Sequence, residues 1–260
     1  MQKLLLTLLF LCSSHTSYAQ IQGKALTYHV NDVAFTGYLA FDDAIQGKRP
    51  GILVVHEWWG HNDYARKRAE MLAALGYTAF ALDMYGSVKQ ASHPDDAKKF
   101  MMAVMSDNEE MKARFQAGLD LLLAQPTVNK TKTAVIGYCM GGGIALNMAR
   151  SGLDVSGIAV FHGSLGTEKP VSKGQIKTKI AAFTGGADPF VPQAQVKAFE
   201  DEMKAADVSY NLKVYPGAKH AFTNSEADHF GQKFSIPLAY NKDADLDSWS
   251  ELQSFLHKLF

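Results

Sequence analysis

At 260 residues the chain has the length of one large α/β domain rather than two average ones. A hydrophobic fraction of 47% and a charged fraction of 20% exclude a disordered, collagen-like or coiled-coil chain and leave enough apolar residues for a sizeable core. Lys plus Arg equals Asp plus Glu at 26 each, which removes the attraction behind most nucleic-acid and anionic-membrane binding and makes a small neutral molecule the default partner.

The first 19 residues have the form of a secretory signal: Lys3, then an apolar run from Leu4 to Cys12, then Ser17-Tyr18-Ala19 before a cut that leaves Gln20 as the mature start. The run stops at Ser13-Ser14, short of the roughly 20 apolar residues a membrane span needs. Export to the periplasm or the medium is therefore expected, with 20–260 as the mature domain and no stable membrane insertion. Of the two cysteines, removal of this segment leaves Cys139, so no intrachain disulfide can form. A lone thiol is either buried and inert or kept for its reactivity.

Ala25 to Val30 and Val33 to Phe41 alternate around Asn31-Asp32 and predict an antiparallel hairpin. Beyond it, short apolar runs at Gly51 to His56, Tyr77 to Leu82, Thr133 to Gly137, Val155 to Phe161, Ile180 to Gly185 and Ser209 to Tyr215 predict strands. Helical-period segments lie between them: Asn62 to Leu75, one or two within Pro94 to Ala124, Met140 to Arg150, Pro192 to Ala206, and Asp245 to Phe260. Strands alternating with helices predict a mainly parallel central sheet with helices on both faces. No repeat or linker divides the chain.

The chemistry concentrates in Gly137-Tyr138-Cys139-Met140-Gly141, set between an apolar strand and an amphipathic helix. This is the pattern of a nucleophile elbow, G-x-S-x-G, with sulfur in place of the serine oxygen. Glycines flanking the nucleophile relieve the crowding of a strained turn, and the start of a helix favours thiolate. An inert glycine-rich turn fits the same residues. A dinucleotide-binding turn fits less well, because Cys139 stands where the backbone must approach a pyrophosphate and His162-Gly163 stands where an acidic residue is needed.

A nucleophile on such an elbow takes its acid and then its histidine from further along the chain. Asp188, in Gly185-Gly186-Ala187-Asp188-Pro189, and His220, after Ser209 to Tyr215, both fall at strand ends, the ligand-binding edge of an open α/β sheet. Asp188 before Pro189 also suits a simple turn, and His220 is one of nine histidines. The cluster His56-Glu57-Trp58-Trp59-Gly60-His61 has its histidines five apart, not the four of a helical zinc motif. Its position after a strand suits an oxyanion donor.

Taken together, His56-Glu57-Trp58-Trp59-Gly60, Asp83-Met84-Tyr85, Gly137-Tyr138-Cys139-Met140-Gly141-Gly142, Gly186-Ala187-Asp188-Pro189 and His220-Ala221-Phe222 resemble the dienelactone hydrolase family. The resemblance implies a single-domain α/β-hydrolase fold with a Cys139, Asp188, His220 triad. It further implies that Glu57 holds the resting thiol protonated, and that the backbone N–H groups of Trp58 and Met140 form the oxyanion hole. Family members that act on dienelactone carry two arginines for its carboxylate, and Ser87 and Asn224 stand at those positions here. That departure implies a different substrate.

The expected function is hydrolysis of a carboxylic ester or lactone through an acyl-thioester on Cys139, without metal or organic cofactor. A pocket that binds a small molecule without turning it over is the competing expectation. A thiol redox protein is disfavoured because the mature chain has no resolving cysteine.

Overall fold

In a computed structural model, which describes residues 20–86 and 88–260, fifteen elements build one α/β domain. In chain order they are β1 (Ile21–Val30), β2 (Val33–Asp42), β3 (Arg49–Val55), α1 (Asp63–Ala74), β4 (Thr78–Leu82), α2 (Pro94–Met105), α3 (Asn108–Leu123), β5 (Val128–Tyr138), α4 (Met140–Arg150), β6 (Gly157–Phe161), β7 (Lys179–Gly185), α5 (Gln193–Ala205), β8 (Tyr210–Tyr215), α6 (Ala227–Phe234) and α7 (Lys242–Leu259). The proposed signal segment and Ser87 lie outside the described residues. No helix among those described is long and apolar enough to cross a membrane.

The sheet has eight strands in the order β1-β2-β4-β3-β5-β6-β7-β8. β1 and β2 form the expected hairpin, its turn made by Asn31 with φ 51°, and β2 meets β4 antiparallel. Every other pairing is parallel. The inner strands are apolar on both faces because helices cover both. One face packs Leu72 of α1 and Leu252 and Leu256 of α7 around Ile136 and Phe161. The opposite face packs Phe115 of α3, Ile144 of α4 and Phe199 of α5 around Val135 and Val160.

β1 starts earlier than expected, at Ile21 rather than Ala25, and α7 at Lys242 rather than Asp245; β5 and α6 depart further. β5 begins at Val128 rather than Thr133, since its polar first half pairs with Arg49 and Pro50 and the register then shifts before Gly51. Helix α6 was not expected: it is eight residues long and buries only Ala227 fully, so its apolar signal is brief. The stretch from Pro94 to Ala124 forms two helices, α2 and α3, the second started by Asp107, whose carboxylate accepts from the N–H groups of Glu109 and Glu110.

Candidate active site

The parallel strands deliver their C-terminal ends to one edge. β3 leads into Glu57 and Trp58, β4 into Asp83 and Tyr85, β5 into Cys139, β6 into His162, and the turns after β7 and β8 carry Asp188 and His220. This is the edge at which open α/β sheets place ligands.

Cys139 caps α4 with φ 53° and ψ −117°, a conformation costly for a residue with a Cβ. The flanking glycines make the turn possible. A Cβ on Gly137 would collide with the carbonyl group of Gly141, and one on Gly141 would collide with the carbonyls of Val55 and His56. The strand is thus pressed directly onto the helix, and the sulfur stands half-buried at the helix's positive end.

His220 reaches this sulfur across 81 residues of sequence, its Nε2 lying 3.0 Å from Cys139 Sγ. Its Nδ1 lies 2.8 Å from Asp188 Oδ2. A carboxylate only accepts, so Nδ1 carries a proton and Nε2 faces the thiol. Asp188 is fixed in turn by the Phe190 N–H, which donates to Oδ1 at 2.8 Å. Burial disfavours a charged His220, but the sulfur of Cys139 and then the Asp188 carboxylate outweigh it and push the imidazole up to about 10.

Glu57 is 2% exposed and accepts a hydrogen bond from Asn224 Nδ2 at 2.6 Å. The resting contact between Glu57 and the thiol that the family resemblance implies is not made here. The sulfur faces His220, and Asn224 occupies the carboxylate. Burial pushes Glu57 up to about 7, against the Asn224 hydrogen bond and the positive charges of His220 and Arg68.

Trp58 and Met140, whose N–H groups are the expected oxyanion donors, both line a cavity that opens on Cys139 and His220. Met140 is the first residue of α4, where an N–H has no intrahelical acceptor. Among the described residues neither N–H donates to a backbone oxygen.

Some neighbours carried no assignment in the sequence. The Tyr85 hydroxyl donates to the Trp58 carbonyl at 2.8 Å and lies 3.3 Å from Met140 Sδ, so one side chain ties together the two segments with the free N–H groups. Its strand-end position in Asp83-Met84-Tyr85 was the available signal. His162, also at a strand end and fully buried, packs edge-on against His220 with ring centroids 5.3 Å apart. Its Nε2 is 2.8 Å from Thr223 Oγ1, which is 2.6 Å from the Tyr64 hydroxyl. Burial first, then the charges of His220 and Arg68, hold His162 well below the usual histidine range.

Of the histidines of the β3 loop, His56 is committed elsewhere, while His61 Nε2 is buried without a partner. His56 Nε2 accepts from the Met84 N–H at 3.1 Å, so its Nδ1 is the donor to the Glu57 carbonyl. His61 is buried, and desolvation, with smaller contributions from His56 and Arg66, lowers it to about 3. Among the described residues no three His, Cys, Asp or Glu side chains cluster as a metal site.

Known proteins share this architecture and its sequence. Protein usf of Aquifex pyrophilus is 29% identical over 210 residues, covering 79% of this chain and 89% of that protein. The crystal structure of a dienelactone hydrolase-like promiscuous phosphotriesterase from metagenomic libraries superposes with a TM-score of 0.87 at 32% identity, covering 94% of this chain and all of the other. A dienelactone hydrolase from Anabaena variabilis shares the fold, with a TM-score of 0.60 at 20% identity over 85% of this chain and 100% of that one. The dienelactone hydrolase family model matches residues 35–260, and the chain belongs to the dienelactone hydrolase family.

Proposed function

We propose that this hydrolase cleaves carboxylic esters or lactones with Cys139 as nucleophile, His220 as base and acid, and Asp188 as the group that orients the imidazole. The observation that carries this reading is the continuous contact from Asp188 Oδ2 to His220 to Cys139 Sγ, at 2.8 and 3.0 Å. Both lie within hydrogen-bond reach, the first requirement for a nucleophile and its base.

His220, raised by its contacts with Cys139 and Asp188, holds the proton it has taken from the thiol while the sulfur adds to the ester carbonyl. The resulting oxyanion faces the N–H groups of Trp58 and Met140. Collapse of that intermediate breaks the ester C–O bond, and His220 returns its proton to the departing alkoxide, leaving an acyl-thioester. His220 then deprotonates a water that attacks the same carbonyl, and collapse releases the acid and restores the thiol. One oxyanion donor is worth about 3–4 kcal/mol in enzymes where it has been removed. Glu57, bonded to Asn224 while the sulfur faces His220, would restrain ionisation of the thiol only in a state in which the two meet, which would limit oxidation of an exported cysteine.

Cys139→Ala should lose turnover of short activated esters, and the wild-type protein should gain the acyl mass transiently. Full activity in that variant would remove the thiol from the mechanism, while ligand retained without adduct or product would favour a binding protein. The mature enzyme in this proposal starts at Gln20 and works in the periplasm or the medium. N-terminal sequencing of the exported protein tests it, and a chain retained in the cytoplasm would overturn it.

A further inference from the structure

The cavity that opens on Cys139 has a volume of about 250 Å³. Apart from Cys139 and His220, no ionisable side chain lines it. Its walls come from Met101 and Met105 of α2, from Phe190 and Val191 after β7, and from Leu238 in the segment after α6. Apart from His220 and the oxyanion donors at the reacting end, no cation faces this lining.

Arg68 and Arg114 are committed away from the cavity. Asn224, at one of the positions where dienelactone-cleaving enzymes resemble one another in carrying arginine, donates its amide to Glu57. Arg68 is 4% exposed and is held by the Thr223 carbonyl at 2.6 Å and by Asp245 at 2.7 Å. Arg114 donates to Glu110 and to the Met84 carbonyl. A carboxylate at the far end of the acyl group would lose its water among Met101, Met105, Phe190, Val191 and Leu238 and find no cation there, the costly case for burial. An ionised Glu57 behind the site would add repulsion.

The walls suit a hydrocarbon chain. Methionine is unbranched and fits irregular apolar shapes, and here two of them come from one helix at a spacing of four residues. Met105 is 44% exposed and Phe190 is 50% exposed, so the rim stays apolar as well.

We propose that the substrate is a neutral ester whose acyl part is an unbranched apolar chain, seated between Met101, Met105, Leu238 and Phe190. This rests on the acyl-thioester reading and adds the class of acyl group to it.

The test uses the mature protein and 4-nitrophenyl esters of increasing chain length, with the 4-nitrophenyl monoester of adipic acid as the anionic match for the hexanoate. From acetate to hexanoate kcat/KM should rise by up to about fourfold per methylene as each is buried. The adipate monoester should be turned over at least about 100-fold more slowly than the hexanoate. Met105→Lys, at the partly exposed rim, should narrow that gap at least about tenfold by supplying the missing cation. A flat chain-length profile, or an adipate monoester as good as the hexanoate, overturns the proposal. These ratios come from the wild-type enzyme, whereas the mechanism is read from Cys139→Ala. Turnover surviving in that variant removes the thiol without touching the preference, and an adduct formed equally from both esters removes the preference without touching the thiol.

Discussion

Asn224 Nδ2 donates to Glu57 Oε2 at 2.6 Å, in a place where both residues are 2% exposed. Burial raises Glu57 from 4.5 to about 7 despite that bond. A carboxyl whose folded pKa is raised contributes stability that is full below about 4.5 and is lost as pH rises through about 7. The difference amounts to on the order of 3 kcal/mol. Glu57→Gln keeps an acceptor for Asn224 and carries no charge. Its melting temperature should match wild type near pH 4.5 and exceed it by roughly 5 °C at pH 8. Thermal denaturation across that range checks the sign, and equal curves at pH 8 would mean Glu57 is not held neutral by burial.

Buried histidines act in the opposite direction. His61 and His162 are lowered by burial, so their contribution is full above about 6.5 and is lost as pH falls below it. With Glu57 removed, only this trend remains. The Glu57→Gln variant should therefore lose melting temperature more steeply than wild type between pH 7 and pH 5, as calorimetry at half-unit steps would reveal.

Asp188 meets Nδ1 of His220 with one oxygen and the Phe190 N–H with the other. Asp188→Asn preserves shape but can present an N–H to Nδ1, reversing the tautomer and turning Nε2 away from its role as base. In a serine protease such a change costs about 10⁴-fold in kcat. A loss of at least about 10³-fold is expected here, with substrate binding little changed. Steady-state kinetics on a short activated ester would decide, and a loss below tenfold would mean the imidazole is oriented by something else.

The Tyr85 hydroxyl spans Trp58 and Met140 without touching the reacting atoms, which makes it a positioning residue. Tyr85→Phe should lower kcat by about tenfold while KM stays within about twofold. The fold should lose only about 1 kcal/mol, the usual net value of one hydrogen bond. A parallel fall in stability and activity would mark the hydroxyl as purely structural.

Glycines of the elbow should separate sharply. A Cβ on Gly141 would enter the carbonyls of Val55 and His56, whereas one on Gly143 finds nothing nearer than Ser164 Cβ at 3.7 Å. Gly141→Ala should cost at least about 3 kcal/mol or prevent folding. Gly143→Ala should gain up to about 1 kcal/mol from helix propensity. Chemical denaturation of the two variants provides the comparison.

Local pattern sufficed for most of the architecture. Apolar runs and helical periods in a stretch such as Thr133 to Arg150 fix their own secondary structure, and the elbow glycines announce a turn that only they can make. The order of nucleophile, acid and base along the chain then pointed to Asp188 and His220, because parallel strands carry their following turns to a common edge. What the pattern left open was set by contacts between distant segments. Asn224 meeting Glu57, Tyr85 bridging Trp58 and Met140, and Met101 and Met105 closing a cavity around Cys139 leave no periodic trace in the chain. Side-chain partners of this kind are chosen by how helices and loops pack over the sheet. Periodicity records which face of an element is buried, and only the folded chain decides what it is buried against.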